Sequence, residues 1–244
     1  MSLRLSNKPM ESSLKLIGKL SEELKILESL SAQLSDSIAV MSEELLTLEK
    51  QLSTPAQPSK SSQPSIPSSG PSNPLEVPYE YQNDNASGTG YRECFSSSCA
   101  MIARYYGKVT SDDQYNKLRA KYGDTTDPQS HVAALKAVGL HPEYLQNGFA
   151  KDLEWEIDCG RPVAVGWLHK GSASQPTGGG HWSVVIGYTP THFILHDPNG
   201  EANLVHGGYS NHSNGRAIHY SRKNWLPRWE VEGPGTGWYM TCTP

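Results

Sequence analysis

The sequence predicts an α+β fold for its C-terminal part, preceded by a long helix and a linker. Within residues 75–244, helix-like segments come first and short β-rich runs follow, an order typical of α+β domains rather than of parallel α/β sheets. Only 36% of the 244 residues are hydrophobic, and the mean hydropathy is -0.55. We therefore expect part of the chain to lie outside any globular core.

Residues 11–52 carry a seven-residue repeat of apolar side chains. With Ile17 counted as an a position, the a and d positions are apolar throughout except at Ser31. A stripe this regular predicts a coiled coil, which would be roughly 60 Å long. We expect residues 1–52 to serve in oligomerisation or assembly, and one long amphipathic helix packed on its own domain is the alternative. Because Ile and Leu are mixed at the a positions, the sequence does not decide between dimers, trimers and heteromers.

Residues 53–74 separate this helix from the rest of the chain. Ser and Pro dominate the segment, and Lys60 is its only charge. Such a composition has almost nothing to bury, so it predicts an extended, disordered linker.

Residues 75–244 contain every Cys, His and Trp of the chain, and we expect them to form the globular domain. Gly107 and Gly139 mark the ends of two of its helices. The predicted elements are helices over 93–106, 111–121 and 129–138, and strands over 162–167, 181–188 and 193–197. Residues 171–177 are either a mobile flap over a cleft or a plain surface loop.

Charge, hydropathy and cysteine count argue against several functions. The formal net charge of -4 gives no electrostatic support for a nucleic-acid partner. No stretch approaches about 18 consecutive apolar residues, and the N-terminus lacks the apolar region of a secretory signal, so we expect no membrane span. Sparse cysteines without a CxxC pair, and the lack of an HExxH motif, predict no disulfide framework, no metal and no cofactor.

Cys94 stands where a loop rich in Gly, Ser and Asn gives way to a predicted helix. The unpaired N–H groups and the positive dipole end of a helix favour a thiolate, which is the form that a nucleophile needs. Cys94 is therefore a candidate nucleophile, although a packing cysteine would suit the same position. Cys99 is expected to be structural.

His181 follows a run of glycines at the start of a strand, and Asp197 ends the next strand. A hairpin between them would pair His181 with Asp197, Ser183 with Leu195 and Val185 with Phe193. Directly opposed residues share one face, so the carboxylate could accept the imidazole N–H and stabilise the imidazolium. A surface histidine and an ordinary Asp-Pro turn are the alternative.

A Cys at a helix start, a later His and then an Asp on the next strand follow the order of papain-like enzymes. The matching stretches are Val77-Pro78-Tyr79-Glu80-Tyr81-Gln82, Cys94 to Met101 with Tyr105-Tyr106-Gly107, Gly160 to Val165, Gly180-His181 and Asp197-Pro198-Asn199-Gly200. With these stretches the sequence resembles the papain-fold cysteine peptidases of the bacteriocin-leader-processing type, peptidase family C-39, and their bacterial and phage relatives. Residues 221–239 look like a tail of the phage-type relatives.

The resemblance implies that residues 75–244 form a papain-like cysteine peptidase domain. Cys94 would be the nucleophile, His181 the base and later the acid, and Asp197 the residue that orients His181. Gln82 would donate its side-chain amide to the oxyanion, beside the backbone N–H of Cys94. An exposed strand-end residue is the alternative for Gln82.

One departure from the family pattern lies directly after the candidate nucleophile. Phe95 and Ser96 stand where the family has Gly-Pro. Phe95 either shapes a substrate pocket, with Trp182 as a second candidate pocket residue, or restricts access to the thiol.

These features favour a cysteine peptidase that is virion-associated or directed to the cell wall and acts on peptidoglycan peptides. The coiled coil and linker suggest a tethered domain, whereas leader-peptide processing resembles the work of domains attached to membrane transporters. The alternative, which Phe95 favours, is a catalytically silent papain-fold binding or structural module on a coiled-coil assembly protein. The expected partners are a peptide or peptidoglycan substrate and further copies of the chain bound through residues 11–52.

Overall fold

The computed structural model describes residues 19–22, 24–25 and 73–244. The chain divides into two units, Met1–Ser65 and Ile66–Pro244. The described residues of the first unit are helical. Apart from them and from residues 73 and 74, the predicted coiled coil and linker lie outside the described residues.

The second unit combines five α-helices with eight strands in its described part. The helices are α1 (Cys94–Tyr105), α2 (Asp112–Arg119), α3 (Pro128–Ala137), α4 (Ala150–Asp158) and α5 (Arg222–Trp229). The strands are β1 (His141–Gly148), β2 (Val163–Ser172), β3 (Gln175–Tyr188), β4 (His192–His196), β5 (Glu201–Ala202), β6 (Tyr209–Asn211), β7 (Ile218–Ser221) and β8 (Gly237–Thr243). Short 3-10 helices cover Gln82–Asp84 and Gly90–Arg92.

Six of the strands form one antiparallel sheet in the order β1-β8-β2-β3-β4-β7, and β5 pairs with β6 in a small separate sheet. Helix α1 packs against β2 and β3, the central strands. Its residues 95–103 are all buried, which makes it the helix at the centre of the core. The predicted α+β class with an antiparallel sheet is confirmed.

The first three predicted helices are confirmed, and their starts follow from capping. The Ser111 side chain accepts a hydrogen bond from the Gln114 N–H before α2, and Asp127 accepts from Gln129 and Ser130 before α3. No helix in the described part of the chain is long and apolar enough to cross a membrane.

Two parts of the predicted layout differ from the structure. The segment 171–177 is the tip of the long β2–β3 hairpin rather than a loop. Strands β1 and β5 to β8 and helices α4 and α5 were not predicted. Pro142 lies in β1, which is at the sheet edge where proline is tolerated, and Pro227 lies inside α5, where it weakens the sequence signal of a helix.

The predicted register of β3 and β4 is wrong by two residues up to Val185 and by three residues from Gly187 onward. Val185 faces Leu195 rather than Phe193, and Phe193 faces Tyr188. A bulge between Val185 and Gly187 adds a residue to β3, and the turn is closed by a 2.8 Å hydrogen bond from the Thr189 N–H to the His192 carbonyl. His181 is therefore not directly opposite Asp197.

Candidate active site

Cys94 is the first residue of α1 and is half-buried. No side chain caps this helix, so its first-turn N–H groups stay available to a negatively charged group. The preceding residue, Glu93, turns its buried carboxylate back to accept hydrogen bonds from Asn85, Ser87 and Thr89. These contacts hold the loop in front of the thiol in one conformation.

His181 and Asp197 form a buried hydrogen-bonded pair. Nε2 of His181 lies 2.7 Å from Oδ1 of Asp197, and both side chains are almost wholly inaccessible to solvent. Cys94 and His181 line the same cavity, and Cys94 contributes to the raised pKa of that imidazole. Because Asp197 occupies Nε2, Nδ1 is the ring nitrogen that remains for the thiol.

Three further groups hold the Asp197 carboxylate. The Asn199 N–H donates to Oδ1 at 3.0 Å, the Tyr220 hydroxyl donates to Oδ2 at 3.0 Å, and the Tyr209 hydroxyl lies 3.4 Å from Oδ1. These hydrogen bonds fix the position and orientation of the carboxylate beside His181. Sequence reasoning missed Tyr209 and Tyr220, since they come from β6 and β7 and belong to no local motif.

The backbone of Asp197 is also fixed. Its N–H donates to the Gly215 carbonyl at 2.8 Å, and its carbonyl accepts from the Tyr79 hydroxyl at 3.1 Å. Tyr79 in turn accepts from the Gly215 N–H at 3.1 Å. Asp197 is thereby bound to the segment just before Gln82, and the Gln82 N–H donates to the Pro198 carbonyl at 2.9 Å.

The histidines of this region have opposite pKa shifts. Burial alone would lower the pKa of His181, but the charge and hydrogen bond of Asp197, with a smaller contribution from Cys94, raise it to about 10. Burial lowers the pKa of His169 and of His196 to about 4. Near neutral pH, His181 therefore carries a proton on both ring nitrogens and the other two rings are neutral.

Gln82 is buried beside Cys94. Its Nε2 donates to the Gly90 carbonyl at 2.8 Å, which orients the amide and leaves the second N–H of Nε2 for another acceptor. The two segments approach so closely that a Cβ added at Gly90 would overlap the carbonyl oxygen of Gln82. Gln82 is thus not the exposed strand-end residue that was its alternative.

A cavity of about 480 Å³ brings these groups together. Gln82, Cys94 and His181 line it, and so do Phe95 and Trp182. Asp197 lies behind His181 and is completely buried. The structure therefore gathers all the predicted site residues around one cleft, with Asp197 one layer below its surface.

Phe95 forms part of the cavity floor. Its ring stacks on Trp182 with 3.6 Å between centroids and 4° between planes, and its other side lies 4.0 Å from the His131 ring. Only 1% of Phe95 is exposed, whereas Cys94 still lines the cavity. The bulky residue after the thiol is held below the cleft and leaves the thiol open.

The other cysteines differ from Cys94. Cys99 and Cys242 are buried, and burial raises the pKa of both thiols, that of Cys242 to about 12. Cys159 is exposed and lies outside the cavity. Among the described residues, no group of three or more His, Cys, Asp and Glu side chains is arranged to hold a metal ion.

Several solved structures are similar to this chain. Solved structures with similarity include the peptidase domain of Streptococcus ComA, a bi-functional ABC transporter involved in quorum sensing, at 20% identity and a TM-score of 0.44 over 63% of this chain and 93% of that one. Another is a double glycine motif protease from an AMS/PCAT transporter in complex with its leader peptide, at 16% identity and a TM-score of 0.45 over 70% of this chain and 94% of that one. No match is found among curated protein sequences.

The family comparison gives the identification. The model of the Peptidase_C39 like family matches residues 74–225, which is more than half of the chain and includes Gln82, Cys94, His181 and Asp197. The chain therefore belongs to the Peptidase_C39 like family and is a cysteine peptidase.

Proposed function

We propose that Cys94, His181 and Asp197 form the catalytic triad of this peptidase. The observation that carries the proposal is the buried 2.7 Å hydrogen bond between His181 and Asp197, with Cys94 and His181 lining the same cavity. The carboxylate stabilises the imidazolium, and the start of α1 stabilises the thiolate. The proton donor His181 is thereby charged before substrate binds.

The reaction then proceeds through an acyl-enzyme. The thiolate attacks the scissile carbonyl carbon, and the oxygen accepts hydrogen bonds from the Cys94 N–H and from Nε2 of Gln82. His181 gives its Nδ1 proton to the departing amine, which breaks the C–N bond and leaves a thioester. His181, now neutral, takes a proton from water, and the hydroxide cleaves the thioester to release the acid and restore the thiolate–imidazolium pair.

We propose peptidoglycan peptides as the substrate, in a virion-associated or cell-wall-directed setting. Support comes from the resemblance of residues 221–239 to phage-type relatives and from the predicted coiled coil and linker. Phe95 does not favour a catalytically silent module, since its ring packs beneath the cavity instead of filling it.

We also propose that residues 11–52 assemble several copies of the chain. Leu20 and Leu24, which occupy d and a positions of the heptad repeat, are 56% and 58% exposed in the single chain. Apolar side chains at these positions gain hydrophobic stabilisation when a second helix covers them.

Reactivity of the thiol tests the catalytic proposal. Iodoacetamide or a thiol-directed epoxide should label Cys94 faster than exposed Cys159 near neutral pH, and His181→Ala should remove the difference. Equal labelling of Cys94 and Cys159 in the native protein would contradict the proposed triad. Cys99 and Cys242 serve as buried controls.

Release of new amino termini tests the substrate. The purified protein is incubated with cell-wall sacculi and, separately, with a denatured protein, each beside a Cys94→Ala control. Cleavage of sacculi alone supports the wall assignment, and cleavage of the denatured protein alone contradicts it.

A further inference from the structure

The cleft around Cys94 has an uneven distribution of charge. Arg92 is the only Lys or Arg among the described residues that line it, and none of them is an Asp or Glu. The chain as a whole has a formal net charge of -4. Arg92 therefore adds a guanidinium to a cleft that also contains the imidazolium of His181.

Arg92 is close to the reacting atoms. It ends the 3-10 helix Gly90–Arg92 and stands two positions before Cys94. Two peptide units separate Cα atoms by at most about 7 Å. A long guanidinium side chain in the cavity lining can therefore reach groups adjacent to the bond that Cys94 attacks.

The guanidinium is only partly used by the protein. Nη2 of Arg92 donates to Oδ1 and Oδ2 of Asp124 at 2.9 and 3.1 Å, while Nε and Nη1 donate to no other described residue. The two side chains are 43% and 51% exposed, and pairs this exposed contribute only about 0–1 kcal/mol. A substrate carboxylate can accept hydrogen bonds from Arg92 either beside Asp124 or in its place.

Asp124 has its own anchors in the cavity wall. It accepts hydrogen bonds from the Thr126 N–H at 2.9 Å and from the Thr126 hydroxyl at 2.6 Å. These bonds lower the pKa of Asp124 more than Arg92 does. Asp124 is therefore held by contacts that do not involve Arg92, next to the cavity residues Thr125 and Thr126.

We propose that Arg92 selects substrates that carry a carboxylate within one or two residues of the scissile bond. The inference rests on the proposed peptidase function and adds the substrate class. An acidic residue in a polypeptide and the free α-carboxylate of a wall stem peptide present the same group to the guanidinium. Charge-assisted hydrogen bonds between such groups are about twice as strong as neutral ones.

Matched peptides test this selection. Nonapeptides carrying Glu or Gln at each position near the cleaved bond are compared, as are stem tetrapeptides with free or amidated α-carboxylates. We expect a Glu to Gln ratio of kcat/KM of roughly ten or more at one position, since 1.4 kcal/mol corresponds to a factor of ten. A preference for the free carboxylate that appears only with the stem peptides would identify the cell wall as the source of the recognised carboxylate.

Variants assign the preference to Arg92. Arg92→Gln should bring the ratio to about one, and Asp124→Asn should raise it, because the competing carboxylate is removed. Lys136→Gln, an exposed control on α3, should leave the ratio unchanged. The ratio is taken within each variant, so a general loss of activity cancels. An unchanged ratio in Arg92→Gln overturns the proposal.

A binding measurement separates this inference from the proposed catalysis. Fluorescence anisotropy of the same labelled nonapeptides is measured with Cys94→Ala and with Cys94→Ala combined with Arg92→Gln. If the native protein cuts no peptide but Cys94→Ala binds the Glu peptide more tightly in an Arg92-dependent way, charge selection stands and the catalytic proposal fails. Equal binding of Glu and Gln peptides overturns the charge selection.

Discussion

His181 and Asp197 share a 2.7 Å hydrogen bond although they are not directly opposed across β3 and β4. Val184 faces His196, so one further step of the ladder would place Ser183 opposite Asp197. His181 is two residues from Ser183 and therefore on the same face, as a diagonal neighbour of Asp197. Between Val185 and the Asp197 end of the ladder the predicted register was wrong by two residues, an even number, so the prediction that His181 and Asp197 share a face still holds. A slip by one residue would have separated the pair.

Replacing Asp197 by Asn should move the pH dependence of the reaction. The carboxylate is what raises the pKa of His181 to about 10, so the native alkaline limb of kcat/KM should lie near pH 10. Without that charge the imidazolium loses its proton at lower pH, and the limb should fall by roughly one to three units. The measurement is a pH profile of peptide cleavage for both proteins. An alkaline limb at the same pH in both proteins would show that a group other than His181 determines it.

The same pair makes a contribution to stability whose sign is defined. The folded-state pKa of His181 is raised, so its contribution is fully present below about pH 6.5 and is lost as the pH rises through about 10. Urea unfolding of the native protein should show this loss between these values. In Asp197→Asn, the free energy of unfolding should change much less with pH over this range.

Tyr220→Phe should weaken the reaction through Asp197. The Tyr220 hydroxyl donates to Oδ2 of Asp197 and accepts from the buried Ala202 N–H at 2.8 Å, so its removal leaves two buried polar groups unpaired. We expect a loss of roughly tenfold in kcat and about 1–3 kcal/mol in the free energy of unfolding.

Its control is Tyr106→Phe, which removes a hydroxyl bonded to the Cys242 carbonyl away from the cavity. Both variants should lose stability, but only Tyr220→Phe should also shift the alkaline limb. If Tyr220→Phe and the native protein have identical pH profiles, the role of Tyr220 is purely structural.

These contacts show what the sequence could and could not predict. Cys94 begins a helix and Asp197 directly follows β4, as their local patterns predict, whereas His181 lies in the middle of β3 and not at its start. Tyr220 and Tyr209 reach Asp197 only because β6 and β7 fold back over it, and nothing in their local sequence indicates that contact. The bulge between Val185 and Gly187 changes the register of β3 and β4, and Gly187 is the sequence sign of it, because a glycine inside a strand often marks a bulge.

Gly90→Ala should impair the proposed oxyanion contact. A Cβ at Gly90 would overlap the Gln82 carbonyl, so the segment carrying the Gln82 amide must shift. Displacement of one preorganised donor lowers kcat by roughly 100-fold to 1,000-fold. Steady-state cleavage should therefore show a fall in kcat with a much smaller change in KM. Gly179→Ala, where an added Cβ meets nothing within 4 Å, is the folding control.

Phe95→Ala should destabilise the domain strongly. The ring is 1% exposed and lies between Trp182 and His131, so its loss leaves a cavity beneath the cleft. Truncation of a buried Phe costs about 3–5 kcal/mol. Urea unfolding should show this loss, whereas Tyr91→Ala, whose side chain is 76% exposed, should change the free energy by less than about 0.5 kcal/mol. Similar losses in both variants would contradict the packing described for Phe95.

The predicted coiled coil gives a prediction about assembly. If residues 11–52 form a coiled coil, the full chain should be oligomeric, and Leu20→Glu combined with Leu24→Glu should dissociate it, because charge at a and d positions opposes burial. Light scattering after size-exclusion chromatography measures the mass. Lys19→Ala combined with Lys25→Ala makes the same change in net charge away from the seam and should remain oligomeric. A monomeric native chain, or dissociation by both pairs of substitutions, would contradict a specific heptad seam.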